Sequence, residues 1–384
     1  MTEWLEKLGH SAADVDRLNL IHVAGTKGKG STCSFTESIL RAFGQRTGFP
    51  RRTGLYSSPH LIFHEERFLI DGEAIDRDLM AKYFFELWDS LSKCENPPRF
   101  LQISALLALH IFIREGVEAA IVETHHGGEY DATNVLQHPV VTVVAPLGMD
   151  HAAQLGPTVR NIAWHKAGIF KPGAIAISAS QEYQETIPVL KERAAEKQIP
   201  IHFVSKDDPE LPKDSLKLKP DVQRSNCSVA LAAARAFLEA KAPKELGSLH
   251  PSDIEKGVSL FSLQGRFQYV PRGDSHWYLD GAHNEMSVTK AAEWFIDVSK
   301  TLRYVDLTST IIRPDQLRHA SSPSSVPQRI LVFNQTSGER DPSDVLERLA
   351  VSLQDVQVDH IIFPGYDLQL SELSEQAVKG WFEG

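Results

Sequence analysis

Short apolar runs alternate with longer segments whose apolar residues recur at helical spacing, the pattern of a mostly parallel sheet flanked by helices. The runs at residues 20–24, 119–123, 140–144 and 174–178 predict strands, and residues 31–42, 76–92, 101–115 and 182–196 predict helices. A further helix rich in alanine and leucine is expected over 226–240, followed by a Lys, Pro and Gly connector. Beyond it the strand and helix pattern restarts, with strands expected at 268–270, 277–279, 330–333 and 361–363 and helices at 287–298 and 342–353. The stripe Phe84, Phe85, Leu87, Trp88 and Leu91 has helical spacing and reads as core. A Ser- and Pro-rich stretch at 308–328 reads as an exposed loop.

A chain of 384 residues exceeds what one hydrophobic core usually serves. The restart of the pattern places a boundary near residue 262, giving domains 1–262 and 263–384. Apolar residues at 42% and charged residues at 23% describe a globular protein with a real core. The net charge of -10 argues against a nucleic-acid partner, which would require a basic face. Cys33, Cys94 and Cys227 are too few and too widely spaced for a disulfide framework or a zinc cluster. Neither a secretory signal nor a membrane span is legible, so a cytoplasmic location is expected, with a mitochondrial form as the alternative.

The strongest local signal is Gly25, Thr26, Lys27, Gly28, Lys29, Gly30, Ser31 and Thr32, placed between an apolar strand and an amphipathic helix. Glycines let the backbone turn so that amides and a helix N-terminus face phosphate oxygens, while Lys29 supplies a mobile positive charge. Ser31 or Thr32 is in reach of the nucleotide or its Mg2+. The loop is shorter than the usual P-loop, since only Thr26 and Lys27 separate Gly25 from Gly28.

This shortened loop resembles that of the Mur ligase superfamily, and of folylpolyglutamate synthases in particular. Other segments similar to that family follow in order: Ser57 to Leu61 with Glu66 and Arg67, Glu123 with the stretch from Gly127 to Asn134, Gly148 to His151, and Ile162 to Ile169. Gln223 to Asn226, Gly265 and Arg266, Tyr278 to Asn284, and Leu331 to Asn334 with Gly338, Arg340 and Asp341 complete the set. The resemblance implies a P-loop NTPase-like, mostly parallel α/β sheet domain followed by a smaller Rossmann-like α/β domain. It implies an ATP-dependent ligase that joins a carboxylate to an amine through an acyl phosphate, with L-glutamate and a tetrahydrofolate as substrates. By the same resemblance Ser58, Glu123 and His151 hold Mg2+, with K+ as a further candidate ion. Lys166 is then the family lysine, often carbamylated. Asn226 lies on the adenine side, Arg266 and Asp280 face the phosphates, and His283 assists the incoming amino acid. Small molecules are the expected partners, and the chain is expected to act as a monomer with neither nucleic acid nor membrane.

Several positions depart from the family pattern. Thr124-His125-His126 puts imidazoles where glycine is usual, and on a period of two His125 would share the face of Glu123. His165 precedes Lys166 where Glu or Gln is usual, Glu65 replaces an Arg, and residues 47–56 read as a short insertion. These changes bear on the acid, so an amide ligase acting on a non-folate acid and a catalytically weakened nucleotide-binding protein stand as alternatives.

Overall fold

The computed structural model describes residues 1–309, 328–334 and 342–364, with side chains described outside 301–309. Gly338, Arg340, Asp341 and most of the 308–328 stretch lie outside the described residues. The chain divides into two compact units, Met1–Gln264 and Gly265–Gly384.

In chain order the first unit contains α1 (Thr2–Lys7), α2 (Ala12–Asp16), β1 (Ile21–Ala24), α3 (Lys29–Thr47), β2 (Thr53–Tyr56), β3 (Phe68–Ile70) and β4 (Glu73–Ala74). Then come α4 (Arg77–Leu91), α5 (Phe100–Arg114), β5 (Ala119–Glu123), β6 (Val141–Val144), α6 (Ala152–Leu155) and α7 (Val159–Lys166). It ends with β7 (Ile175–Ala179), α8 (Thr186–Glu196), β8 (Ile201–Val204), α9 (Asp221–Lys241) and α10 (Pro251–Leu260). The strands form one sheet in the order β4-β3-β2-β5-β1-β6-β7-β8, parallel from β2 through β8 and antiparallel at β3 and β4.

Both faces of this sheet are covered, which explains why its strands read as continuous apolar runs. Ala119 and Ile121 of β5 pack into the cluster formed with α3, α9 and α10, while Ala120 and Val122 pack into the one formed with α4 and α5. A third cluster joins Ala24, Val144 and Ala176 to α8 and the end of α7. Parallel pairing brings the carboxyl ends of β1, β2, β5 and β6 to one edge of the sheet, so Gly25, Ser57, Thr124 and Ala145 all emerge together. That edge is where open α/β sheets bind ligands.

Two expectations need correction. Residues 53–56, inside the stretch read as an insertion, form β2, a fully buried core strand. The Thr53 hydroxyl donates to the Glu37 carboxylate at 2.6 Å, so a polar residue sits in the core without an orphaned donor. On α4 the buried positions are Tyr83, Leu87 and Leu91, spaced i, i+4, i+8. Phe85 and Trp88 are 58% and 44% exposed, so the aromatic stripe runs along the border of the core. Phe84 and Trp88 stack on each other at 5.9 Å.

The second unit opens with an antiparallel hairpin of β9 (Gln268–Arg272) and β10 (Ser275–Leu279), turning at Gly273-Asp274. It continues with α11 (Glu285–Ser309), β11 (Ile330–Val332), α12 (Pro342–Ser352) and β12 (His360–Ile362). β11 and β12 pair in parallel, and Val288, Ala292, Phe333, Val345, Leu346 and Leu349 form the core between them and the two helices.

Candidate active site

The turn after β1 is fixed from one side by the backbone of its neighbour β6. The amides of Thr26 and Lys27 both donate to the Pro146 carbonyl, at 3.0 and 3.1 Å. The Thr26 hydroxyl donates to the Gly148 carbonyl at 3.1 Å. These two residues therefore anchor the turn, and the amides open to a phosphate are those of the first turn of α3. The helix begins at Lys29, two residues earlier than the sequence pattern indicates. Gly28 caps it in the left-handed region at φ 75°, and a Cβ there would overlap the Asn226 side-chain carbonyl. Asn226, on α9, thus lies directly against the turn, its amide nitrogen donating to Gln223 at 3.0 Å. Ser31 is buried and Thr32 completely so, and the Thr32 hydroxyl is buried with no hydrogen-bond partner.

Beside this turn stands the end of β5. Glu123 is 4% exposed; its carboxylate accepts from the Ser58 amide at 3.2 Å and lies 3.9 Å from Lys29 Nζ. Lys29, Ser58 and Glu123 are thereby brought together. His151 is placed elsewhere on the edge: it caps α6 in the left-handed region, lies 3.6 Å from the Asp150 carboxylate and meets His126 at 3.2 Å between ring nitrogens. Among the described residues no group of three or more His, Cys, Asp or Glu side chains is gathered around a cation position. The donors near the turn are oxygens of Ser58, Thr32 and Glu123. That hard set suits Mg2+, and the unpartnered Thr32 hydroxyl leaves one of them free to bind.

Lys166, at the end of α7, is 1% exposed and its ammonium donates to the His126 carbonyl at 2.9 Å. Burial, and then the neighbouring Lys29 ammonium, push its pKa down to about 7, against the pull of Asp150, Asp131 and Glu123. A lysine so tuned is partly neutral, and hence nucleophilic, at physiological pH.

In the second unit Arg266, Asp280 and His283 gather around a hydrogen bond from the Gly281 amide to the Gly265 carbonyl at 2.7 Å. The Arg266 guanidinium donates to the Gly265 carbonyl at 3.1 Å, and the Asp280 carboxylate accepts from the Phe267 amide at 2.8 Å. The His283 ring bonds the Gly281 carbonyl at 2.9 Å. Burial raises the pKa of Asp280, partly offset by the Phe267 amide and Arg266.

No family model matches the chain. Folylpolyglutamate synthase from Neurospora crassa is 41% identical over 311 residues, covering 77% of this chain and 58% of that protein. A Schizosaccharomyces pombe relative, described as probable folylpolyglutamate synthase, is 37% identical over 375 residues, covering 94% of this chain and 69% of the relative. The chain belongs to the folylpolyglutamate synthase family. It spans about three fifths of the length of the first relatives it matches. In fold it is similar to Mycobacterium tuberculosis folylpolyglutamate synthase complexed with ADP, with a TM-score of 0.72 at 21% identity over 98% of this chain and 81% of that one.

Against that family the unusual side chains find local explanations. β5 stops at Glu123, so the alternation that would put His125 beside it does not continue. The His125 ring turns inward, 2.7 Å from the Tyr56 hydroxyl and 3.2 Å from the Asp131 carboxylate. His165 packs edge-on against the rings of Tyr130 and Trp164. Glu65 pairs with Arg77 on the surface, while Glu66 caps the amides of Leu61 and Phe63 at 2.7 and 2.9 Å and so shapes the loop after Ser58.

Asp131 belongs to the Gly127 to Asn134 stretch but has no role assigned from the sequence. Its Oδ2 accepts the amides of His125, His126 and Gly127 at 3.0, 3.2 and 3.3 Å, and its Oδ1 accepts the amide and hydroxyl of Thr133 at 3.0 and 2.8 Å. The available signal was Asp-x-Thr, the pattern of an Asx turn. Burial raises the Asp131 pKa, but these donors and His125 more than reverse it, and the group is held well below the usual carboxylate range.

The depressed pKa of Lys166 sets a pH dependence with a definite sign. Between about 7 and the ordinary 10.5 the unfolded chain holds a proton that the folded one has released, so stability rises with pH across that window. The cost of burying the ammonium is complete below pH 7. Lys166→Met should therefore be more stable than the parent by about 3–5 kcal/mol at pH 6. The difference should shrink as pH climbs toward 10, as measured by urea denaturation of both proteins. A constant difference across that range would remove the neutral lysine.

Proposed function

We propose that the protein is an ATP-dependent carboxylate–amine ligase that adds L-glutamate to a tetrahydrofolate. The carrying observation is the buried Glu123 carboxylate held between Lys29 and the Ser58 amide, beside a glycine-rich turn that opens a helix. Family membership and the ADP complex of the similar structure support the reading.

In the reaction a substrate carboxylate oxygen attacks the γ-phosphorus of ATP, releasing ADP and leaving an acyl phosphate. The amine of glutamate then attacks the acyl carbon and expels inorganic phosphate. The protein's part is to hold the reactants in line and to neutralise charge that develops on the phosphoryl oxygens. The first-turn amides of α3 and Lys29 bind the phosphates, and Asn226 flanks the turn on the nucleotide side. Ser58, Glu123 and Thr32 would be the oxygen donors for Mg2+, with His151 a further candidate on the same sheet edge; a bound ion would supply charge neutralisation at the phosphates. Lys166, in amine or carbamate form, orients the carboxylate. For the second unit we assign Arg266 and Asp280 to the nucleotide and His283 to the amino acid.

The protein is further proposed to act as a monomer on small molecules, in the cytoplasm. No helix among the described residues is long and apolar enough to cross a membrane. With ATP, Mg2+, L-glutamate and tetrahydrofolate, the purified protein should release phosphate and yield a folate heavier by one glutamyl residue in mass spectrometry. Phosphate release that depends on another acid, with none on tetrahydrofolate, would overturn the folate assignment.

A further inference from the structure

The loop between β5 and the next turn of chain is held from two sides. From within, one buried carboxylate oxygen of Asp131 gathers three consecutive amides, those of His125, His126 and Gly127. From without, the Lys166 amine donates to the carbonyl of the middle residue, His126. The peptide units of residues 125–127 are thus oriented so that their amides face Asp131 while a carbonyl faces Lys166. There is a second fastening: the His125 ring, with its Tyr56 and Asp131 contacts, ties the loop to strand β2, which leads directly into Ser58.

Resting on the ligase reading of this site, we propose that Asp131 is a positioning residue for Lys166. It acts by holding the His126 carbonyl where it receives the Lys166 amine, with His125 and Tyr56 as a brace to the Ser58 strand. A buried amine on four flexible carbons has no fixed direction unless an acceptor defines one, and among the described residues Lys166 Nζ donates to that carbonyl, at 2.9 Å. Asp131→Asn retains the shape but replaces an oxygen pair that serves five donors with one oxygen and an amide NH2, itself a donor. It should release the loop and let Lys166 swing.

Three readouts test this on the full chain. Asp131→Asn should lower kcat about 30-fold or more while KM for ATP stays within about threefold, because the turn after β1 is anchored separately at Pro146. Hydrogen exchange of the His125, His126 and Gly127 amides should quicken by about 100-fold, and labelling of Lys166 by an amine-acylating reagent should rise at least tenfold. A variant that loses stability yet keeps the parent's kcat and Lys166 labelling would overturn the proposal. If the variant does not fold, the parent decides: its three loop amides should exchange only as slowly as core strand β5, and exchange at loop rates would overturn the proposal. Should the parent show no turnover with any acid, the ligase reading fails, while exchange and labelling still judge the link from Asp131 to Lys166.

Discussion

Lys29→Ala is expected to reduce ATP-dependent phosphate release about 1000-fold, the scale for loss of one preorganised charge at a phosphoryl or acyl transition state. The loss should fall on turnover far more than on folding. Glu123 keeps the Ser58 amide at 3.2 Å, and the turn keeps both its anchors to Pro146. Unfolding stability should drop by about 3 kcal/mol, the low end of the scale for removing one partner of a buried pair, because this pair is loose at 3.9 Å. Phosphate release and urea denaturation measured on one preparation separate the two effects. Turnover equal to the parent's would remove Lys29, and with it the assignment of the glycine-rich turn to phosphate.

The glycine-rich turn was legible because its three determinants are local: an apolar run, glycines, and a helix whose polar and apolar positions are spaced at 3.6. β5 was legible to the residue for a similar reason, since four small or apolar residues close on a single carboxylate. β2 was not. Thr53 and Gly54 look like loop residues, and only the sheet shows that Glu37 satisfies one while the Phe112 ring and Val117 crowd the other. Short antiparallel additions such as β3 and β4 likewise depend on partners distant in sequence.

The site shows the same division. Lys29, Ser58 and Glu123 could be named from motif order, but the contact that joins them crosses three strands. The inward turn of His125 depends on where β5 ends, which periodicity alone does not give. Asp131 escaped because its role is to accept from backbone amides, and backbone donors carry no residue signature. What a sequence displays is side-chain chemistry; what a loop needs to hold its shape is mostly main chain.

Gly128→Ala tests that last point most severely. Among the glycines of the loop, Gly127 and Gly128 are neighbours, yet their surroundings differ. A Cβ at Gly127 would meet only Leu155 Cδ2, at an ordinary 3.6 Å. At Gly128 it would overlap the His165 carbonyl and lie 2.7 Å from the Lys166 carbonyl oxygen and 2.8 Å from its Cα. These are backbone atoms at the end of α7, where the Glu129 amide already donates to the His165 carbonyl at 2.7 Å, so nothing can yield by rotating a side chain. Either the loop lifts from α7 or the helix end unwinds, and both would draw the His126 carbonyl away from Lys166. Gly128→Ala should therefore cost about 3 kcal/mol or more in urea denaturation and abolish most turnover. Gly127→Ala should cost under about 1 kcal/mol. Equal effects of the two substitutions would mean that the loop does not lie against α7 as described, and that Lys166 is positioned by something else.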